Sequence, residues 1–238
     1  MTETAPPSSP AKVTIDIFSD VMCPWCVVGY KNLQAALGEL DGEIEAEVRW
    51  RPFELNPQMA PEGEESTAHI ARKYGRTPEQ AAAARGVMAD HAEKAGYSFA
   101  YTGAGDAPPA MLWNTLLAHK LLRWALAVHG AAAQTRLKLA LFDAHFQQRR
   151  DVSDRAVLAD IYEALGLPRD EAEVAFDDPV LGDRVRAEEA QAWDMNISGV
   201  PAMLVNAKYL IPGAQDPETY ATALRRVVAK EAQASAQA

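Results

Sequence analysis

The chain has 238 residues, about the upper limit of one domain and enough to bury a core without covalent staples. Apolar residues make up 48% and charged residues 24%, so a folded globular chain is expected and the disordered class is excluded. The formal net charge of -10, with Lys and Arg scattered along the chain, repels phosphate backbones and anionic lipid, which makes nucleic acid and membrane surfaces poor partners.

Residues 1–11 are rich in Thr, Ser and Pro, with no basic region leading into an apolar run, and are expected to be a flexible lead rather than a secretory signal. No apolar stretch approaches the ~20 residues that span a bilayer. Cytoplasmic residence is the resulting expectation.

Lys12 to Phe18 alternates, with Val13, Ile15 and Ile17 on one face and Thr14, Asp16 and Phe18 on the other, and reads as a strand. After a short connection, Cys23-Pro24-Trp25-Cys26 opens a helix running to about Leu40, with Pro24 in the first turn where its missing N–H costs nothing. Asp41-Gly42 ends it, and Ile44, Ala46, Val48 and Trp50 alternate as a second strand. Because the connection is a helical crossover, the two strands should be parallel.

From Pro52 to about Asp178 the pattern is helical. Thr77-Pro78-Glu79-Gln80 is a capping-box start for a helix to about Ala95. A second helix is expected over Met111 to Val128, with Gly130 closing it, a third over Gln134 to Gln148, and a fourth capped by Ser153 and ending at Leu165-Gly166; Pro168 begins another. A helix of about Leu181 to Met195 then leads to Gly199-Val200-Pro201, strand Met203 to Val205, a turn at Asn206-Ala207 and strand Tyr209 to Ile211. Asp216-Pro217-Glu218 starts the last helix, which is expected to fray from Lys230. The resulting fold class is α/β.

The chain has two cysteines, three positions apart. A bridge across so small a loop constrains little of the unfolded chain, so the pair points to chemistry rather than stapling. A sulfur at a helix start faces free backbone N–H groups and the positive end of the dipole, so the Cys23 pKa is expected below the ~8.5 of a free thiol. Cys23 is then the attacking sulfur and Cys26, one turn deeper, resolves the mixed disulfide. A zinc site would need two further ligands, and His69, His91, His119, His129 and His145 show no ligand spacing; no metal is expected. The four histidines on insert helices (His91, His119, His129 and His145) read as packing or surface residues, and the stripe with Trp113 and Trp124 as core.

The stretch Lys12 to Gly29, the segment Trp50-Arg51-Pro52-Phe53-Glu54-Leu55-Asn56-Pro57 and the Gly199-Val200-Pro201 loop followed by Gly213-Ala214-Gln215 resemble the DsbA family of thiol–disulfide oxidoreductases, in its FrnE-like cytoplasmic branch. The resemblance implies a thioredoxin-like fold with a large inserted α-helical domain: 12–55 and 183–232 form the thioredoxin-like part, 56–182 the insert, and 1–11 and 233–238 the flexible termini. It further implies a cis Val200–Pro201 bond facing the sulfurs, with Pro24, Trp25, Gly199 and Val200 lining the substrate, and no cofactor beyond the cysteine pair. Asp16 is a candidate for the buried acid that relays a proton for the second cysteine; the alternative is an ordinary polar residue of an alternating strand. Trp25 either docks apolar substrate or simply covers the sulfur.

The activity implied is disulfide reduction or isomerisation on protein or small-molecule thiols and disulfides, glutathione among them. Two rivals share the superfamily or the motif. One is a glutathione-dependent isomerase or transferase related to 2-hydroxychromene-2-carboxylate isomerase, in which serine replaces the first cysteine, so Cys23 counts against it. The other is a redox-sensing binding module. Direction of electron flow, physiological substrate and oligomeric state carry no signature here.

Overall fold

The computed structural model describes residues 9–237. A four-stranded sheet of order β2-β1-β5-β6 is built from β1 (Ala11–Ser19), β2 (Ile44–Pro52), β5 (Ala202–Val205) and β6 (Tyr209–Pro212). β1 and β2 run parallel, in register from Ala11–Ile44 to Ser19–Pro52, as a helical crossover demands. β5 is antiparallel to β1, pairing Ile17 with Met203 and Phe18 with Ala202, and β6 returns antiparallel after the Asn206-Ala207 turn. Both turn residues take positive φ.

The alternation of β1 separates two environments. Val13, Ile15 and Ile17 join Met203 and Val205 under α1 (Pro24–Glu39) and α8 (Pro217–Ala236), packing with Val27, Leu33, Leu40, Tyr220 and Leu224. On the opposite face Phe18 meets Phe53, Ala202, Ala192 and Ile197, the last two brought by α7 (Pro179–Asp194) and the residues after it. α8 stays helical through Ala236, beyond the expected fraying point at Lys230.

Between β2 and α7 lie β3 (Glu64–Glu65), α2 (Ser66–Tyr74), α3 (Pro78–Lys94), β4 (Met111–Leu112), α4 (Leu116–Phe142), α5 (Arg155–Ala164) and α6 (Arg169–Asp177). This is the helical insertion in a thioredoxin-like frame. The Thr77 capping box forms in full: Thr77 Oγ1 accepts from the Gln80 N–H, and Gln80 Oε1 accepts from the Thr77 N–H.

Three boundaries differ from the sequence expectation. Met111 and Leu112 do not start a helix; they pair antiparallel with Glu64 and Glu65, and α4 begins only at Leu116. Gly130, at φ 81° and ψ 177°, kinks the chain between two helices, as expected, but the second starts directly after it rather than at Gln134 and finishes in a wider π turn over Asp143–Gln147. The α5 cap is Asp154, whose carboxylate accepts from the Val157 N–H, while Ser153 is held by Asp151.

Two of the contacts that fasten the insert to the thioredoxin-like part bear on the position of the site. Gln134 of α4 sits on the outer edge of β2, accepting from the Trp50 N–H at 2.8 Å and donating to the Trp50 carbonyl at 2.9 Å, so one side chain imitates a neighbouring strand. Val21 and Met22, from the loop before α1, are buried in the insert's own core with Leu121, Leu137, Leu141 and Tyr162.

Gly29 permits the close approach on which the site depends, since a Cβ there would come within 2.9 Å of Pro201 Cγ. Gly29→Ala is expected to destabilise the chain by about 1–3 kcal/mol, as overpacking does. Gly38→Ala, on the same helix with nothing within 4 Å of its new methyl, should instead stabilise by about 0.5–1 kcal/mol. Urea midpoints at unchanged slope measure both.

Candidate active site

β1 ends at Ser19, and the Asp20–Met22 loop turns the chain so that Cys23 becomes the residue capping α1. Its extended backbone (φ -85°, ψ 110°) and Pro24 in the first turn place the sulfur at the helix start. Both cysteines are thiols and both are buried, Cys26 completely. The Val200–Pro201 bond is cis, and Cys23 Sγ lies 3.5 Å from the Val200 carbonyl oxygen, to which the thiol donates. Thus Cys23, Cys26, Val200 and Pro201 converge, with Gly199 exposed beside them. The Gly213-Ala214-Gln215 loop backs this arrangement: the Gly213 N–H donates to Pro201 O, and Asn32 of α1 donates to Gln215 O.

Trp25 is the outer wall, 38% exposed, its ring 5.3 Å from that of His91 on α3. His91 is therefore a histidine of the insert that reaches the rim of the site. Its position on a helix face remote in sequence left no local signature.

Asp16 is buried, but its carboxylate is bound by Arg49 (3.1 Å, two nitrogens) and Arg51 (2.8 Å) of β2, on the sheet face away from α1. The alternation of the strand explains this: Ile15 and Ile17 point toward the helix carrying the sulfurs, so Asp16 points away. The acid that serves the thiol loop is Asp20. It is wholly buried and accepts from the Met22 N–H (3.2 Å) and the Leu55 N–H (2.7 Å).

A group of buried ionisable side chains surrounds Asp20. Burial alone would raise its carboxyl, but the neighbouring His119 ring, the Leu55 N–H and the Lys138 ammonium hold it below its ordinary value. Burial lowers His119, its Nε2 3.8 Å from Asp20 Oδ1, and lowers His145 to about 4; His119 Nε2 and His145 Nδ1 have no hydrogen-bond partner. Lys138 has no exposed surface. Its Nζ donates to the Ser19 carbonyl at 3.4 Å and stands 5.2 Å from the Trp50 ring centre and 4.9 Å from that of Phe142. Burial lowers its pKa to about 8.

The Cys23 thiol is raised above its ordinary value, contrary to the sequence expectation. The hydrogen bond with the Cys26 thiol is the largest cause, followed by burial, the Cys26 charge and, least, Asp20; the Cys26 backbone N–H at the helix start works in the other direction but does not prevail. Helix-start placement is present, and burial beside a second thiol outweighs it.

With fold and site in view, the chain can be placed. The DSBA-like thioredoxin domain model matches residues 14–225, and the chain belongs to that family. It is similar to a probable DsbA oxidoreductase of Streptomyces coelicolor, at 29% identity over 90% of this chain and 89% of that one, with a TM-score of 0.78. It is also 26% identical to the uncharacterized protein YwbO of Bacillus subtilis, over 89% of this chain and 96% of the relative. The cytosolic disulfide reductase DsbM of Pseudomonas aeruginosa shares the fold at 22% identity and a TM-score of 0.56, over 90% and 98% of the two chains. Among the described residues no helix is long and apolar enough to cross a membrane.

Two outcomes test this electrostatic reading. Because the Cys23 thiol titrates high, its alkylation by iodoacetamide should quicken about tenfold per pH unit through neutrality without levelling below pH ~8.5, the value of an unperturbed thiol. Lys138 is charged in the unfolded chain up to about 10.5 but folded only to about 8, so the unfolded state binds the extra proton between those values. Stability therefore falls as pH drops from about 10.5 to 8, by on the order of 3 kcal/mol, and stays down below that. Lys138→Met should remove this slope and raise the neutral-pH stability by about 1–4 kcal/mol in urea denaturation.

Proposed function

We propose that this protein is a thiol–disulfide oxidoreductase of the disulfide reductase or isomerase type, working through Cys23 and Cys26 in a reducing compartment such as the cytoplasm. The observation that carries the reading is the 3.5 Å approach of Cys23 Sγ to the carbonyl of Val200, beside Pro201. That approach puts an attacking sulfur against a strand end that an extended chain can pair with.

The Cys23 thiolate attacks a substrate disulfide, forming a mixed disulfide and expelling one substrate thiolate, which takes up a proton. Cys26 then gives up its proton and attacks the Cys23 sulfur, releasing the second substrate thiolate and leaving a Cys23–Cys26 disulfide. Two electrons pass to the substrate, and a small thiol restores the dithiol by the reverse exchange. Glutathione is a fitting donor, and DsbM has been solved with GSH. Pro24 and the half-exposed Trp25 ring, with Gly199 and Val200 opposite, would flank the substrate.

Asp16 has a different role in this reading. Held by Arg49 and Arg51, it stiffens the β1–β2 pair instead of relaying a proton.

Insulin reduction by dithiothreitol tests the function. The wild-type chain should shorten the lag before precipitation. Cys23→Ser should return the reaction to the uncatalysed rate, whereas Cys26→Ser should accumulate mixed disulfides visible on non-reducing gels. Equal trapping by both variants would overturn the assignment of roles, and an unchanged lag with wild type would overturn the function.

A further inference from the structure

β2 is an outer strand of the sheet, and only one end of its free edge is filled. In a parallel pair the N–H and C=O of one residue point to the same side, and those of the next residue to the other. Both groups of Trp50 point outward, where Gln134 gives the acceptor and the donor of a neighbouring strand, at 2.8 and 2.9 Å. Val48 and Ala46 share that parity, so their N–H and C=O groups face the same side. Among the described residues no backbone or side-chain group outside the sheet bonds to any of the four. Beyond them the Ile44 N–H is closed by the Leu40 carbonyl at 3.0 Å. The open stretch of edge is therefore bounded at both ends.

This stretch borders a groove of about 1030 Å³, between Tyr30, Gln34 and Leu37 of α1 and Gly130, Ala131 and Ala132 of α4. Three small residues at the Gly130 kink leave the space that Gln134, one turn on, fills. Ala46 and Val48 lie half-buried on the α1 face with Leu37, whereas Glu45 and Glu47 stand exposed on the other face. The cations near these carboxylates are Lys12, 3.7 Å from Glu45, and Arg49, 3.8 Å from Glu47 and already bound to Asp16. Exposed pairs of that length contribute little, so both carboxylates are open to a better partner.

We propose that the free edge of β2 is a docking site for an extended segment of a partner protein in which apolar residues alternate with lysine or arginine. The partner backbone continues the sheet at Ala46 and Val48, its apolar side chains enter the groove beside Leu37, and its cations face Glu45 and Glu47. A second copy of this chain fits poorly. Pairing β2 with its own image sets Glu45 and Glu47 against the same carboxylates, in a chain of net charge -10. Ala46 pairs with Val13, six strand residues and roughly 20 Å before Ser19, so docking leaves the cysteine pair free.

The test is amide hydrogen exchange followed by NMR in the full chain, alone and with a capped peptide of about seven residues in which Val and Lys alternate. The Ala46 and Val48 amides should exchange fast in the free chain and slow on the order of tenfold or more with peptide. The Trp50 amide, already held by Gln134, should not change. A backbone N-methylated counterpart keeps the side chains and charge but cannot pair, and should protect neither amide. No protection at ~1 mM peptide would overturn the proposal. So would amides already protected in the free chain, or protection that rises with protein concentration alone, the sign of a second copy on the edge.

Charge is tested by the double variant Glu45→Lys, Glu47→Lys, which should raise the midpoint for the Val–Lys peptide about tenfold or more. Equal binding of a Val–Glu peptide to the wild-type chain would overturn the assigned partner chemistry. Ala46→Pro removes an outward N–H with no bond inside the chain, a change an edge strand tolerates, and should abolish the protection of Val48 by peptide. Should a variant not fold, the wild-type chain with the Lys, Glu and N-methylated peptides decides alone.

Discussion

The arrangement hangs on one buried carboxylate. Asp20 takes the N–H of Met22 on one side and the N–H of Leu55 on the other, and so ties the turn before the cysteines to the segment that leaves β2 for the insert. Ionised carboxylates out of water need such donors, since an isolated one would neutralise instead. With that turn fixed, Val21 and Met22 are driven into the insert's core while Cys23 is delivered to the start of α1. The position of the sulfur against Val200 then follows from the Gly29 contact with Pro201.

Much of the frame was legible because it is written in local patterns. The two-residue period of β1, the Pro after the first cysteine, the Thr77 capping box and the Asp216-Pro217 start each depend on neighbours within a few positions, and each appears where its pattern lies. The β3–β4 bridge was not legible: two residues pairing with two others some 47 positions away have no periodicity to detect. Gly130 belongs with the legible features, for its positive φ kinks the chain between two helices at the place where the sequence puts a helix end.

The site was half legible. Cys23, Cys26, Val200 and Pro201 are carried by motifs and do converge. Asp16 stands one residue off the face that looks at the sulfurs, and in a strand a displacement of one residue is a change of side. Asp20, His119, Lys138 and His145 come from a turn and from helical segments about 100 residues or more further along the chain; each looks unremarkable where it stands in the sequence. Only their shared burial singles them out.

That shared burial also settles how the helix-start argument should be weighed. A cysteine capping a helix gains from free N–H groups, an effect worth roughly 0.3–1 kcal/mol at a surface and more when partly buried. Removing the same sulfur from water and placing it against a second thiol and Asp20 opposes ionisation more strongly, and the net direction for Cys23 is upward. In this site the helix start places the Cys23 sulfur beside Val200, while burial and the second thiol set the direction of its pKa. The insert adds to that burial through α4, whose Phe142 packs in the cluster that holds both cysteines and whose Gln134 locks the helix to the edge of β2. The helical insertion is then part of what keeps the cysteine pair from water, which gives a physical reason for α4 to be fastened to the sheet rather than left to swing.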